Sequence, residues 1–328
     1  MLITLPSYKE IKTAYAIKKK IINSLKLSVL EIFNRKDKKL IVVVGPCSIH
    51  SEKDVLDYAE KLSCLQKKLK NILLVMRVFY EKPRTENSWK GFVSDPYMDN
   101  SYNLSDGIIK TRELLIKISN LNIPIASEIL DPNLVFYFDD IISYGFIGAR
   151  TVSSQIHRQL ASSFNFPVGF KNSLDGDISN LVNALKIASK KQSFVKLEEN
   201  CLSQSLTKGN KFAHPVLRGT KNFINYDEKS IYELSEILKN ENLNKNISID
   251  CSHGNSQYNY KKQIDVINYL LNENIFNKFN IISLMIESFI FEDRQPITKN
   301  IKYGISITDG CLGYEDTENM ILKIDKNL

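Results

Sequence analysis

The 328-residue chain has no apolar run long enough to span a membrane, which excludes a bundle of transmembrane helices. It opens Met1-Leu2-Ile3-Thr4-Leu5-Pro6, with no basic stretch leading into a long apolar one, so no secretory signal is read. Cysteine is sparse. Cys47, Cys64, Cys201, Cys251 and Cys311 are odd in number and widely spaced, so no disulfide framework is expected and a reducing cytoplasm is. Internal repeats and low-complexity tracts are missing, as are the interleaved aromatic and basic residues of a nucleic-acid binder. No glycine-rich phosphate turn follows the first apolar run, which counts against a doubly wound dinucleotide-binding sheet.

What is present is globular. Charged residues make up 25% and apolar ones 43%, too apolar for a disordered chain. Lys and Arg total 44 against 37 Asp and Glu, a formal net charge of +7. Much of the excess lies in scattered pairs and triplets such as Lys18-Lys19-Lys20 and Lys190-Lys191, which read as solvated surface. The length suits two domains, or one α/β barrel with extensions.

Eight short runs have strand length and composition: 40–44, 72–78, 123–126, 146–149, 167–170, 215–217, 247–249 and 281–286. Most lack polar alternation, as parallel strands buried on both faces do. Segments of helical periodicity lie between them at 52–70, 106–119, 133–143, 153–163, 177–190, 228–240 and 258–271, and a last one at 316–326. Eightfold alternation of strand and helix predicts a single (β/α)8 TIM barrel over 40–328. Residues 1–39, helical over 14–34, form an N-terminal arm, and 194–212 form a hairpin inserted between strands five and six.

Side chains at the C-terminal strand ends of such a barrel converge on one mouth. Cys47, His253, Glu287 and Asp309 fall there: one thiol, one imidazole and two carboxylates. Taken singly, such a cysteine is ordinarily a small buried apolar residue, and such a glutamate a helix cap or ion-pair partner. Four together read as a divalent-metal site whose mixed donors suit Mn, Fe, Co or Zn better than Ca or Mg. Arg77, Lys82, Arg84, Arg150, Lys171 and Arg218 form a second group, with Glu128 at the end of strand three. Converging cations repel one another unless an anion fills the site, and guanidinium forks match phosphate and carboxylate. A small, multiply anionic substrate is implied.

These residues sit in long ordered motifs: GPCSIH (45–50), VMRVFYEKPRT (75–85), IGARTVSSQIHRQLAS (147–162), PVGFKN (167–172), LRG (217–219), DCSHGNS (250–256), MIES (285–288) and YGISITDGCLGYEDTE (303–318). In them the chain resembles the metal-dependent 3-deoxy-D-arabino-heptulosonate-7-phosphate synthases, transferases that open the shikimate pathway to the aromatic amino acids. The resemblance implies condensation of phosphoenolpyruvate with erythrose 4-phosphate, addition of water and loss of inorganic phosphate. It implies Cys47, His253, Glu287 and Asp309 as ligands of a divalent ion, manganese foremost. Arg77, Lys82, Arg150, Lys171 and Arg218 would hold phosphoenolpyruvate, with Glu128 nearby. Lys82, Pro83, Arg84 and Thr85 would hold the sugar phosphate. Lys82, Cys47, His253 and Glu128 are the catalytic candidates; Glu128, Asp309 and water on the metal all stay open as handlers of the water proton. A homo-oligomer, dimer or tetramer, is also implied.

Some positions depart from the family pattern: Glu86-Asn87-Ser88 before Trp89, Ser173-Leu174 after Asn172, and Thr220 after Gly219. None removes a charged or metal-binding residue. The alternative is a sibling synthase acting on another aldose phosphate, against which Lys82-Pro83-Arg84-Thr85 speaks. A class II aldolase working without phosphoenolpyruvate is a further rival. Relatives are commonly inhibited by an aromatic amino acid beside the arm. Here the arm is short, and Val135-Phe136 stand where many relatives have Pro-Gln, so weak or absent feedback inhibition is expected.

Overall fold

The protein is described here from a computed structural model covering residues 3–84, 86, 88–198 and 201–328. Eight strands close into a parallel barrel: β1 (Leu40–Gly45), β2 (Ile72–Arg77), β3 (Ile125–Glu128), β4 (Tyr144–Ile147), β5 (Val168–Lys171), β8 (His214–Leu217), β9 (Ile247–Asp250) and β10 (Ile281–Glu287). Each pairs with its sequence neighbour in the barrel, and β1 closes the ring against β10, with Val44 opposite Ile286 and Gly45 opposite Glu287. The expected TIM barrel is therefore present. So is the inserted hairpin, formed by antiparallel β6 (Ser193–Glu198) and β7 (Cys201–Leu206) between β5 and β8.

Parity explains the strand composition. Leu40, Val42 and Val44 pack outward against the helices, while Ile41 and Val43 pack inward with Val75, Ala126, Phe146 and Met285. Both faces are dry, so both must be apolar. Climbing a strand two residues at a time keeps a side chain inside the barrel. On β5 that climb runs from Gly169 to Lys171. On β9 it runs from Ser248 to Asp250, and on β10 from Met285 to Glu287. The interior thus begins polar at its floor, turns apolar, and ends charged at the mouth.

The outer layer is α3 (Glu52–Gln66), α4 (Leu104–Asn120), α5 (Gln155–Ala161), α6 (Ile178–Ala188), α7 (Glu228–Asn240), α8 (Gln263–Asn272), the short α9 (Ile275–Lys278) and α10 (Tyr314–Asn327). Side-chain caps start several of them: Ser51 accepts from Asp54 N, and Asp227 accepts from Ser230 N. Each such cap satisfies an otherwise orphaned helix donor.

Two local expectations are corrected. The arm is not one helix over 14–34 but α1 (Tyr8–Ala14) and α2 (Lys19–Phe33). The break falls where the Tyr15 carbonyl accepts the Arg112 Nε at 2.9 Å instead of continuing a helical ladder. The helix expected over 133–143 shrinks to one 3-10 turn, Leu134–Tyr137. The Asp131 side chain accepts from Asn133 N at 2.7 Å, offering the backbone an Asx turn that competes with a helix start.

Helix α2 covers the floor of the barrel. Its Val29, Ile32 and Phe33 belong to the interior cluster, and the Phe33 ring lies 5.5 Å from that of Tyr144 and 4.9 Å from that of His214. Beneath the apolar layer the Tyr144 hydroxyl meets His214 Nε2 at 2.6 Å, Ser248 Oγ at 3.0 Å and Ser283 Oγ at 3.0 Å. This buried polar ring is internally satisfied, as burial requires.

Candidate active site

The mouth is built from the last residue of each strand and the loop behind it. Cys47 follows β1, and its thiol donates to Asp309 Oδ2 at 3.2 Å. Donor atoms of Cys47, Glu287 and Asp309 all lie within 4.8 Å of one another. Cys47 and Glu287 are buried, whereas Asp309 is open to the mouth. Burial, then the Glu287 charge, pushes the Cys47 thiol up to about 11. A soft donor and two carboxylates in mutual reach fit a divalent cation, which would favour the thiolate that burial disfavours.

His253 stands beside this group, Nε2 3.7 Å from Glu287 Oε1. Its other nitrogen, Nδ1, lies 2.9 Å from Asp250 Oδ2 and 2.7 Å from Ser252 Oγ. An imidazole whose Nδ1 donates to a carboxylate presents a lone pair at Nε2, the usual arrangement around a metal-ligating histidine. His253 adopts a left-handed φ of 53°, and the Tyr258 amide closes on its carbonyl at 2.7 Å. That turn delivers the ring back over the barrel axis.

The cations gather next to it. Arg77, Lys82, Arg84, Arg150, Lys171 and Arg218 all line one cavity of about 190 Å³, together with Pro83, Glu128, His253 and Asp309. Lys82 Nζ donates to Cys47 Sγ at 3.0 Å and to the Cys47 carbonyl at 3.1 Å. Burial works against the Lys82 charge, but Cys47, Glu287 and Asp309 outweigh it and raise its pKa. Arg77 is fixed on three sides: it donates to Glu287 Oε1 at 2.8 Å and to the carbonyls of Pro46 and Cys47 at 3.1 Å each. Its guanidinium carbon also lies over the Phe79 ring, 3.6 Å from the centroid. Lys171 Nζ donates to Asp250 Oδ2 at 2.8 Å, and burial lowers its pKa despite that partner.

Glycine makes room among these groups. A Cβ on Gly148 would stand 2.1 Å from Glu128 Oε1, so any larger residue there would push that carboxylate from its present position. The Arg218 amide donates to Asn172 Oδ1 at 2.9 Å, which ties β5 to β8 under the cation ring.

All the residues expected at the mouth except Thr85 are thereby placed around one site; Thr85 lies outside the described residues. Two groups escaped the sequence reading. Asp250 was visible as a strand end but carried no role, although its inward parity with Ser248 could have pointed to it. Asn172 was visible only as part of a motif, and its cross-strand partner has no local signature.

A profile of the DAHP synthetase I family matches residues 14–322. The chain is 40% identical over 305 residues to a phenylalanine-inhibited phospho-2-dehydro-3-deoxyheptonate aldolase of Saccharomyces cerevisiae, covering 90% of this chain and 82% of that one. It is 38% identical over 306 residues to a Tyr-sensitive phospho-2-dehydro-3-deoxyheptonate aldolase of Escherichia coli, covering 92% and 86%. A solved phospho-2-dehydro-3-deoxyheptonate aldolase from Francisella tularensis superimposes with a TM-score of 0.96 at 37% identity, over 100% of this chain and 97% of that one. With its barrel, its acid–thiol cluster and its ring of cations, the chain belongs to the DAHP synthetase I family.

Proposed function

We infer that this protein joins phosphoenolpyruvate to erythrose 4-phosphate with water, giving 3-deoxy-D-arabino-heptulosonate 7-phosphate and inorganic phosphate, the first step of the shikimate pathway. The observation that carries the reading is the convergence of six cations on one small cavity bordering the Cys47–Glu287–Asp309 group.

In this reading the buried Arg77, Lys171 and Arg218, with Arg150, hold the carboxylate and phosphate of phosphoenolpyruvate. Pro83, Arg84 and Thr85 receive the sugar phosphate. Held this way, C3 of the enol phosphate faces the aldehyde carbon, and the new carbon–carbon bond forms between them. Lys82 sits between the two substrates' places, and its fixed positive charge stabilises the alkoxide that develops at the former aldehyde oxygen. Water then adds at C2, phosphate departs, and the surrounding guanidinium groups take up its growing charge. Glu128 and Asp309 are the carboxylates lining this cavity, the side chains within it that could take the water proton.

Cys47, Glu287, Asp309 and His253 would hold the divalent ion, manganese or else iron, cobalt or zinc, which supplies Lewis-acid polarisation of the aldehyde. A thiol ligand must stay reduced, a condition that a reducing cytoplasm would supply. The reading includes a homo-oligomer, dimer or tetramer. Val195, Leu197, Leu202 and Leu206 on the hairpin are 51–76% exposed and offer the apolar surface that such assembly would cover.

The test is phosphate release from phosphoenolpyruvate and erythrose 4-phosphate, with and without chelator, and with arabinose 5-phosphate in parallel. Chelator should abolish turnover and Mn²⁺ restore it, and Cys47→Ser should lower it sharply. Undiminished activity in chelated buffer, or preference for arabinose 5-phosphate, would overturn the assignment.

A further inference from the structure

A cation that the mouth motifs do not contain stands on the far side of Asp309. Arg294 lines a second cavity, of about 510 Å³, with His253, Tyr258, Tyr260, Glu287, Asp293 and Asp309 among its neighbours. It is the only Lys or Arg lining that cavity among the described residues. Arg294 also lines a third cavity, of about 410 Å³, which it shares with Arg84, Thr308 and Asp309. Arg294 and Arg84 therefore flank one space beside Asp309, and Arg84 and Asp309 also line the cavity of the six cations.

The backbone that carries Arg294 is pinned. On one side of it, Asp293 exchanges hydrogen bonds with Cys311, N to O at 2.9 Å and O to N at 3.2 Å. On the other side, Gln295 N donates to the Ser306 carbonyl at 2.8 Å. The Gln295 side chain bridges Lys302 and Ile305 as well. The segment thus forms a strap across the loop that bears Asp309. Asp293 holds a left-handed φ of 80° within it, an unfavourable value for a non-glycine residue. The surrounding bonds keep that geometry in place.

The guanidinium itself is unengaged: among the described residues it makes no hydrogen bond or ion pair. Glu287, Asp293 and Asp309 line its larger cavity yet none pairs with it. A pinned backbone, a free five-donor head and a second arginine across the same space are what a phosphomonoester dianion recognises. We propose that Arg294 binds the terminal phosphate of the aldose phosphate together with Arg84, closing on it from the strap side. The proposal rests on the synthase reading above and adds a specificity-determining residue to it. A phosphate clamped between two elements sets the length of sugar that fits between clamp and reacting carbon, so Arg294 would help select the four-carbon aldose.

Steady-state kinetics of the metal-loaded enzyme test this. Arg294→Ala should raise KM for erythrose 4-phosphate about tenfold, the worth of one charge-assisted contact. Its kcat and its KM for phosphoenolpyruvate should stay within about twofold, since the reacting atoms are untouched. Arg294→Lys should fall between, keeping the charge without the fork. Competition by inorganic phosphate against erythrose 4-phosphate should weaken in parallel. An unchanged KM for the sugar phosphate, or a rise confined to phosphoenolpyruvate, would overturn the proposal. Because the residue is exposed, loss of fold does not obscure the result, and a melting curve checks it. Failure of the synthase reading would show differently, as absence of phosphate release by the unaltered protein.

Discussion

Asp250 Oδ2 lies 2.9 Å from His253 Nδ1. The same oxygen accepts from Lys171 at 2.8 Å, so one fully buried carboxylate orients both His253, a proposed metal ligand, and a member of the cation ring. Burial disfavours its charge, but His253 and Lys171 hold its pKa well below the ordinary range. Asp250→Asn keeps the shape and removes the charge. The expected outcome is metal affinity lowered about 10- to 100-fold, with a raised KM for phosphoenolpyruvate. Metal titration followed by kinetics at saturating metal separates the two effects. A variant with unaltered metal affinity and unaltered KM would show that Asp250 is only structural.

Cys311 lies under the same mouth, its Sγ 3.4 Å from the Cys47 amide nitrogen. Both residues are buried and unpaired. With the metal stripped and hydrogen peroxide added, the two thiols should lose their hydrogens to peroxide and join. Activity and two titratable thiols should disappear together in the wild type. Cys311→Ser should keep its activity far longer under the same treatment. Equal inactivation rates would exclude this pairing.

His214 predicts an acid limit to stability. It is fully buried, its Nδ1 donates to the Phe212 carbonyl at 2.8 Å, and burial lowers its pKa to about 4. Between that value and the ordinary 6.5 the unfolded chain binds a proton that the folded one refuses. The contribution of His214 is therefore complete above pH 6.5 and is lost as pH falls towards 4. On the order of 3 kcal/mol is at stake. Denaturant melts of the wild type and His214→Gln across this range should show the variant's shallower slope; parallel slopes would refute the assignment.

Feedback inhibition is expected to be weak. The arm, the 3-10 turn and the hairpin fill the space between them with this chain's own side chains. The Tyr8 ring lies 6.0 Å from that of Phe136 and 6.4 Å from that of Tyr137, and Lys196 Nζ sits 4.2 Å over Phe136. An added aromatic amino acid would have to displace Tyr8 before it could bias one state over another. Initial rates with saturating Phe, Tyr and Trp, each alone, should stay within about twofold of the uninhibited rate. Strong inhibition not competitive with either substrate would show that a working pocket survives.

The barrel was legible because parallel strands covered on both faces need apolar residues on both, and eight such runs alternate with helical segments while no glycine-rich turn follows the first. Strand ends were less so. The apolar run of the third strand stops at Ala126, but the ladder continues to Glu128, since a backbone hydrogen bond does not depend on the polarity of its side chain. The same holds for Lys171, Asp250 and Glu287, each the last residue of its strand. The helix expected over 258–271 begins at Gln263, because Gln257 and Tyr258 take left-handed φ values of 53° and 59°. The clustering of the thiol, the carboxylates and the cations at one mouth was readable from strand-end position. Asp250's double duty, Arg294's strap and α2's place under the barrel depend on contacts distant in sequence, for which no spacing rule exists.

The apolar layer packed inside the barrel, between α2 and the charged strand ends, makes the mouth above it a blind well. Arg77 and Lys171, at 1% and 5% exposure, lie at its bottom, while Arg84 is exposed at the rim. If the buried cations hold phosphoenolpyruvate and the rim holds the sugar phosphate, as proposed above, traffic obeys a stack: phosphoenolpyruvate enters first, and the sugar phosphate enters second and covers it. On that reading, inorganic phosphate freed beside the buried cations would leave only after the condensed product above it, so departure order would be set by depth.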